Sequence, residues 1–155
     1  MEEQKQNPAE SQPADSPYRG WGQTGAEVPL GTIALRPAPY SAKAIQHGRH
    51  PTNVGRMEDP DAHAVRLGWC GEVMEMYVRL EGDRISEATF WADGCLSTMA
   101  CGDMLTTMVK GKALAEAVAI TPEELITALD GLPLKSHHCA ELSIETLRDA
   151  LGERV

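Results

Sequence analysis

The fold is decided by one stretch, residues 74–91, which reads MEMYVRLEGDRISEATFW. Apolar and polar side chains alternate in its first half, as they do in a strand with one buried face. The inward-facing residues of that half are Met74, Met76, Val78 and Leu80. Gly82-Asp83 predicts a turn into a second strand over residues 84–91, and residues 65–70 are read as a third strand. The stretch therefore predicts a small antiparallel three-stranded sheet.

Working outward from this sheet, helical patterns occur on both sides. Upstream, residues 40–47 predict a short helix that ends at Gly48. Downstream, the pattern becomes helical after Gly94 and stops at Lys110-Gly111. The apolar stripe predicted for this downstream helix consists of Leu96, Met99, Ala100, Met104 and Met108.

Three further helices are expected before the C-terminus. Residues 113–120 suggest a short one, and Thr121-Pro122 reads as the N-cap and first residue of the next, which Gly131 closes. The final helix carries Ala140, Ile144, Leu147 and Leu151 on one face. The predicted fold class is α+β, a small antiparallel three-stranded sheet with helices packed on it.

The N-terminal part of the chain has a different composition. Six of the ten prolines fall within the first 39 residues, and no apolar period is present there. We therefore expect residues 1–38 to form a disordered or flexible tail and residues 39–155 to form the folded domain.

The net charge of −9 and the lack of a Lys/Arg cluster argue against a nucleic-acid partner. No apolar run approaches the roughly 20 residues of a membrane span, and the N-terminus lacks the apolar stretch of a secretory signal. The expectation is a cytoplasmic protein without a membrane partner. Thiols are kept reduced in that compartment, so the four cysteines point to metal binding or thiol chemistry before disulfides.

Three of the cysteines lie at the ends of predicted elements. Cys70 precedes a glycine at a strand end, Cys95 follows a glycine ahead of a helix, and Cys139 begins the final helix. Helix N-termini favour a thiolate, the form that ligates soft metals, and a cysteine at such a boundary is expected to be more exposed than one in mid-core. The pattern alone leaves packing residues and metal ligands equally open. No Cys-x-x-Cys pair is present, so a zinc ribbon is unsupported.

Spacing along the chain indicates the expected roles of the remaining cysteine and of two histidines. Cys101 lies six residues after Cys95, about 240° around a helix, and is expected to be structural. His137 and His138 adjoin Cys139, and neighbouring side chains at a helix start point in different directions. At most one of the two histidines is therefore expected to share a metal with this cysteine.

Glu72 stands two residues after Cys70, and residues i and i+2 of an extended strand face the same side. Its carboxylate is read as an oxygen ligand or a proton acceptor beside the thiol, or else as one more solvated charge. His47, His50 and His63 have no ligand-like spacing and are expected to be solvated surface residues.

Several short motifs follow one another along the chain. They are Tyr40-Ser41, the segment HPTNVG at 50–55, Cys70-Gly71-Glu72, FWADGC at 90–95, VKGKAL at 109–114 and His138-Cys139. In this order, with intervals of 25 and 44 residues between the three cysteines, they resemble the U-type iron–sulfur scaffold family, which includes IscU and the N-terminal domain of NifU. The resemblance covers residues 40–152.

The resemblance implies a scaffold or carrier protein rather than an enzyme, on which a [2Fe–2S] or related cluster is transiently assembled and then passed to apo iron–sulfur acceptor proteins. Sulfur would come as persulfide from a cysteine desulfurase. On this interpretation Cys70, Cys95 and Cys139 ligate iron, and His138 is an alternative or fourth ligand. A histidine or carboxylate as the fourth ligand binds iron less firmly than a thiolate, which suits a cluster that is transferred to another protein.

The chain departs from the family pattern near the site. Glu72 stands where the family usually has Asp. The extra methylene keeps the charge but moves the carboxylate, so its role as an auxiliary residue depends on whether it still reaches the site. Leu132-Pro133-Leu134-Lys135 replaces a Leu-Pro-Pro-Val-Lys segment used by a dedicated chaperone, which puts that partnership in doubt. Lys135 is one residue further from Cys139 than in the family, which weakens its assignment as an auxiliary site lysine. His138 stands where the SufU branch usually has a basic residue, so the IscU and NifU side fits better.

Two other functions stay open. The first is a zinc-bound sulfur-transfer protein, in which the same ligands hold Zn²⁺ and a thiol accepts persulfide without cluster formation. The second is an interaction module whose cysteines only pack. Sulfur acceptance without iron incorporation would support the first. Unchanged metal and sulfur binding after replacement of all three cysteines by serine would support the second.

Overall fold

The predicted three-stranded antiparallel sheet is present in the computed structural model, which describes residues 39–152. Its strands are β1 (Ala62–Leu67), β2 (Val73–Glu81) and β3 (Arg84–Asp93), in the order β1-β2-β3. The central strand pairs in antiparallel register with both neighbours, with Met76 opposite Ala64 on one side and Phe90 on the other. The predicted tail, residues 1–38, lies outside the described residues.

The alternation predicted for β2 is confirmed at Met74, Met76 and Val78, whereas Leu80 is only half-buried and Tyr77 of the opposite face is also buried. Met74, Met76 and Val78 are buried, and Ile85 and Phe90 of β3 are buried with them. Gly82 has a positive φ of 65°, which makes the turn between the two strands possible without steric strain. Burial of these apolar side chains against the helices supplies the main driving force for the fold.

The helices cover this buried face. They are α1 (Ala42–Arg49), α2 (Leu96–Val109), α3 (Leu114–Val118), α4 (Pro122–Ala128) and α5 (His137–Leu151), with a 3₁₀ turn over Leu134–Ser136 ahead of α5. Helix α2 packs against β3, α5 packs against β1 and β2, and the two helices contact each other. None of the helices within residues 39–152 has the length and apolar character needed to cross a membrane.

The predicted helix signals hold at α4 and α5. Thr121 accepts a hydrogen bond from the Glu124 N–H and donates its own N–H to the Glu124 carboxylate, which forms a reciprocal capping box. All four residues of the stripe predicted for α5 are buried. The amphipathic pattern of α5 therefore matches its position against the sheet.

Two predicted details of the elements are wrong. The third strand is shifted to Ala62–Leu67, because residues 68–72 form a turn closed by hydrogen bonds between Gly68 and both Gly71 and Glu72. Gly48 does not end α1. It is a point of close approach, since a Cβ there would lie 2.4 Å from Leu96 Cδ1.

The stripe predicted for α2 is also only partly correct. Leu96, Met99 and Met108 are half-buried, whereas Cys101 and Leu105 are completely buried. The helix is covered on most sides by α1, β3 and α5, so its core positions do not form one narrow stripe.

A buried aspartate fixes the segment before the sheet. Asp103 of α2 is fully buried and accepts hydrogen bonds from the N–H groups of Thr52 and Asn53 at 2.8 and 2.9 Å. His47 Nδ1 lies 2.6 Å from the other oxygen of this carboxylate. Lys110 Nζ in turn donates to the Asn53 side-chain oxygen at 2.6 Å. The prediction that His47 is a solvated surface residue is therefore wrong.

His50 and His63 are exposed, as predicted. The ring of His63 stacks on Tyr77 of the neighbouring strand, with the ring centroids 4.6 Å apart.

Candidate functional site

The candidate site lies where three separate segments of the chain meet. These are the turn between β1 and β2, the junction of β3 with α2, and the start of α5. They enclose a cleft of about 310 Å³ whose lining residues are Cys70, Gly71, Glu72, Asp93, Gly94, Cys95 and His138. The segments are far apart in the sequence. The pairing of β2 with β3 and the packing of α5 on β1 and β2 bring them together.

The turn between β1 and β2 presents Cys70 to solvent and sends Glu72 inward. Gly71 has a positive φ of 88°, which lets the chain reverse direction directly after the cysteine. Gly68 leaves room for the carboxylate, because a Cβ there would lie 2.8 Å from Glu72 Oε2. Cys70 and Glu72 do share a site, but a turn brings them together rather than the strand that the sequence predicted.

Glu72 links two residues of the first turn of α5. Its Oε1 lies 2.8 Å from His138 Nε2 and 3.9 Å from the sulfur of Cys139. His138 Nε2 is itself 3.6 Å from that sulfur. The ligand atoms of Cys70, Glu72 and His138 all lie within 4.8 Å of one another. Glu72 Oε2 is buried and has no hydrogen-bond partner among the described residues, so the carboxylate has unused acceptor capacity.

Cys95 is the N-cap residue of α2, in an extended backbone conformation, but its side chain forms no cap hydrogen bond. Its sulfur lies 3.6 Å from the hydroxyl oxygen of Thr98, one helical turn further on. The same oxygen lies 3.7 Å from the sulfur of Cys139. This buried threonine therefore joins two of the predicted site cysteines.

The three cysteines differ in exposure. Cys70 and Cys95 are exposed, as expected for cysteines at element boundaries, but Cys139 is completely buried. The prediction of exposure failed for Cys139 because the start of α5 is covered by α2 and by the turn that carries Glu72.

The same difference appears in the ionisation of the thiols. Burial acts to raise the pKa of Cys95, but the Thr98 hydroxyl and the polar backbone N–H groups at the start of α2 lower it overall. Desolvation raises the pKa of Cys139 to about 12. Desolvation, assisted by the charge of Glu72, also raises the pKa of Cys70. The predicted preference for a thiolate is thus found only at Cys95.

The other residues singled out from the sequence lie elsewhere. Cys101 is buried in the core, where burial raises its pKa well above the usual range, in keeping with the predicted structural role. The ring of His137 turns away to the Leu132 carbonyl at 3.1 Å, so only His138 joins Cys139. Lys135 is exposed on the 3₁₀ turn and does not line the cleft.

Three residues of the site were missed by sequence reasoning. Asp93 lines the cleft, and its position directly before Gly94-Cys95 could have indicated this. Thr98 could have been found from its i+3 spacing to Cys95. Trp69, which is 82 % exposed, places its ring centroid 5.1 Å from that of His138, and no pattern pointed to this contact.

The arrangement offers thiols, an imidazole and a carboxylate around one open cleft. Thiolates suit iron in iron–sulfur clusters, and a tetrahedral Zn²⁺ accepts the same donor types. The donor set therefore fits a cluster or a zinc ion, and the exposed outer rim gives access from solvent.

Comparison with known proteins supports one family. Residues 39–153 match the family model of the NifU-like N-terminal domain. The chain is 38 % identical over 113 residues to the iron–sulfur cluster assembly scaffold protein IscU 1 of Archaeoglobus fulgidus, covering 72 % of this chain and 74 % of that protein. It is 34 % identical over 119 residues to the iron–sulfur cluster assembly scaffold protein IscU of Escherichia coli, covering 74 % of this chain and 92 % of that protein.

A solved structure shows the same fold. The crystal structure of a NifU-like protein N-terminal domain from Brucella abortus aligns with a TM-score of 0.60 at 14 % identity, covering 74 % of this chain and 93 % of that one.

Proposed function

The chain belongs to the family of NifU-like N-terminal domains, and on that premise we propose that it is a scaffold for the transient assembly of an iron–sulfur cluster and its transfer to apo-proteins. The observation that carries this proposal is that Cys70, Cys95 and His138 line one cleft from three separate segments, with the buried sulfur of Cys139 3.6 Å from His138 Nε2. A packing role explains the burial of Cys139 but not the exposure of the other two cysteines beside it.

The proposed ligands divide by position. Cys70 and Cys95 bind from the solvent side, and Cys139 binds from the protein side. His138 is the alternative or fourth ligand, and Glu72 holds its ring when no ligand is bound, through the 2.8 Å contact between Oε1 and Nε2. Because Glu72 contacts the same nitrogen that would bind metal, its carboxylate competes with the metal for His138.

The proposed partners follow from the same chemistry. A cysteine desulfurase supplies sulfur as persulfide to a thiol of the cleft, and an apo iron–sulfur protein accepts the finished cluster. The protein acts as a carrier and not as an enzyme, since the cluster that it binds is its cargo. A [2Fe–2S] cluster fits the proposed set of four ligands.

The test is anaerobic incubation of the full chain with ferrous iron, cysteine, a cysteine desulfurase and dithiothreitol, followed by addition of an apo-ferredoxin. A visible charge-transfer spectrum is expected to appear and then to move to the ferredoxin. Serine at position 70, 95 or 139 should abolish stable cluster formation. The matched control is Cys101→Ala, which removes the thiol outside the cleft and should leave the spectrum intact. A wild-type protein that stays colourless while the desulfurase is active contradicts the proposal.

A second function is favoured by one observation. The ligand atoms of Cys70, Glu72 and His138 lie within 4.8 Å of one another and resemble a three-ligand zinc site. In that case the protein is a zinc-bound sulfur-transfer protein. Mass spectrometry of the same incubation without dithiothreitol distinguishes the two, since retained zinc with a persulfide and no colour supports sulfur transfer alone.

A further inference from the structure

Thr98 has an unusual environment for a buried threonine in a helix. It is completely buried in the first turn of α2. The hydrogen bonds recorded for its hydroxyl both go to sulfur, at 3.6 Å to Cys95 and 3.7 Å to Cys139.

Buried hydroxyl groups further along the helices of this protein bond to backbone carbonyls. Thr106 donates to the Gly102 carbonyl at 2.8 Å, Ser143 to the Cys139 carbonyl at 3.0 Å, and Thr146 to the Leu142 carbonyl at 2.7 Å. Such bonds to the carbonyl four residues earlier are the ordinary solution for a buried helical hydroxyl. The Thr98 hydroxyl is instead directed at the sulfurs of Cys95 and Cys139.

The adjacent glycine contributes to this arrangement. A Cβ on Gly94 would lie 2.6 Å from Thr98 Oγ1 and 2.9 Å from Thr98 Cβ. The residue before Cys95 must therefore be small for the threonine side chain to occupy its position between the two sulfurs.

A hydroxyl group carries one hydrogen and two lone pairs, so it can donate to one sulfur while it accepts from the other. In the free protein it can accept from the thiol of one cysteine and donate to the other. When both sulfurs are metal-bound thiolates neither has a proton to give, and the hydroxyl can only donate. It then favours a single sulfur.

We propose that Thr98 is a positioning residue, whose hydroxyl holds the sulfurs of Cys95 and Cys139 together and donates a hydrogen bond to one of them when they ligate metal. The inference rests on the proposed function through the ligand role of these two cysteines. Hydrogen bonds to ligating sulfurs raise the reduction potential of an iron–sulfur cluster and orient its ligands. The threonine thereby influences both metal affinity and the potential of the bound cluster.

The test compares Thr98→Ser, which keeps the hydroxyl, with Thr98→Val, which keeps the side-chain shape. The first measurement is the affinity of the metal-free chain for Zn²⁺ by competition with a chelator. We expect Thr98→Ser to bind within about twofold of wild type and Thr98→Val to bind about tenfold more weakly, as for loss of other outer-sphere partners. The second measurement is the reduction potential of the reconstituted cluster, which should fall in Thr98→Val and stay unchanged in Thr98→Ser.

The matched control is Thr146→Val, which makes the same substitution at a buried threonine that bonds only to the Leu142 carbonyl among the described contacts. It should leave both the Zn²⁺ affinity and the potential unchanged. Thermal unfolding of each variant confirms that the fold is intact.

The opposite order of the two Thr98 variants in Zn²⁺ affinity and reduction potential overturns the inference. If Thr98→Val retains wild-type affinity and potential while Thr98→Ser is the weaker variant, Thr98 only fills space. Failure of the wild-type chain to form a cluster would reject the proposed function. In that case the Zn²⁺ affinities alone decide the positioning role. Weaker binding by Thr98→Val than by Thr98→Ser supports it, and the reverse order contradicts it.

Discussion

Replacing Asp103 by alanine is expected to destabilise the domain severely, although the residue lies outside the cleft. The fully buried carboxylate accepts two backbone N–H groups and contacts His47. Alanine leaves both N–H groups without an acceptor, at a cost of about 1–3 kcal/mol each. With the loss of the His47 contact, the expected decrease in the free energy of unfolding is about 3–5 kcal/mol, as for other broken buried charge clusters.

Urea denaturation followed by circular dichroism measures this decrease. The melting temperature should fall by about 12–20 °C, given about 4 °C for each kcal/mol in a domain of this size. The conservative change Asp103→Asn keeps one acceptor oxygen and should lie between wild type and alanine. As a control, Asp149→Ala removes an exposed carboxylate that pairs with Arg66 at 2.7 Å, and should cost less than about 1 kcal/mol. A loss below about 1 kcal/mol in Asp103→Ala would refute the reasoning.

The remaining predictions concern the site and one helix cap. Glu72→Ala should retain its cluster longer, with transfer to an apo-ferredoxin slowed several-fold, because His138 Nε2 loses its competing partner at 2.8 Å; transfer at the wild-type rate would contradict this. In the metal-free protein at neutral pH, iodoacetamide should modify Cys95 well before Cys139, as followed by peptide mass mapping. Raising the pH should speed the reaction of Cys139 more, because its pKa is raised to about 12 and that of Cys95 is lowered; equal rates would be evidence against the assignment. Thr121→Ala should cost about 1 kcal/mol of unfolding free energy through loss of the α4 capping box, whereas an unchanged urea midpoint would show the cap to be unimportant.

Local patterns in the sequence predicted those parts of the fold that depend on one face being buried. The inward positions Met74, Met76 and Val78 and the stripe along α5 were confirmed, because these residues face the core. The pattern failed for α2, which is covered on most sides and therefore has no single stripe to detect. It also failed for β1, since the turn that carries Cys70 replaces the end of the predicted strand.

The members of the site could be predicted more completely than their environments. The intervals between Cys70, Cys95 and Cys139 and the motifs around them predicted three thiols in one site, and the structure places two of them on the lining of the cleft. Burial of Cys139 and its contact with Thr98 depend on how α2 and α5 pack, and this information is spread over the whole core. Sequence spacing therefore predicted the thiols, and tertiary packing determines which of them is accessible.

The unequal exposure of the thiols sets an order for ligand exchange under the proposed function. An incoming acceptor protein can reach the solvent-side bonds to Cys70 and Cys95, whereas the bond to Cys139 is shielded by the protein interior. The outer bonds are then replaced first, while the inner one still tethers the cargo. If the cluster is bound as proposed, such stepwise replacement would pass through a species attached to both proteins, without free diffusion of the cluster through water.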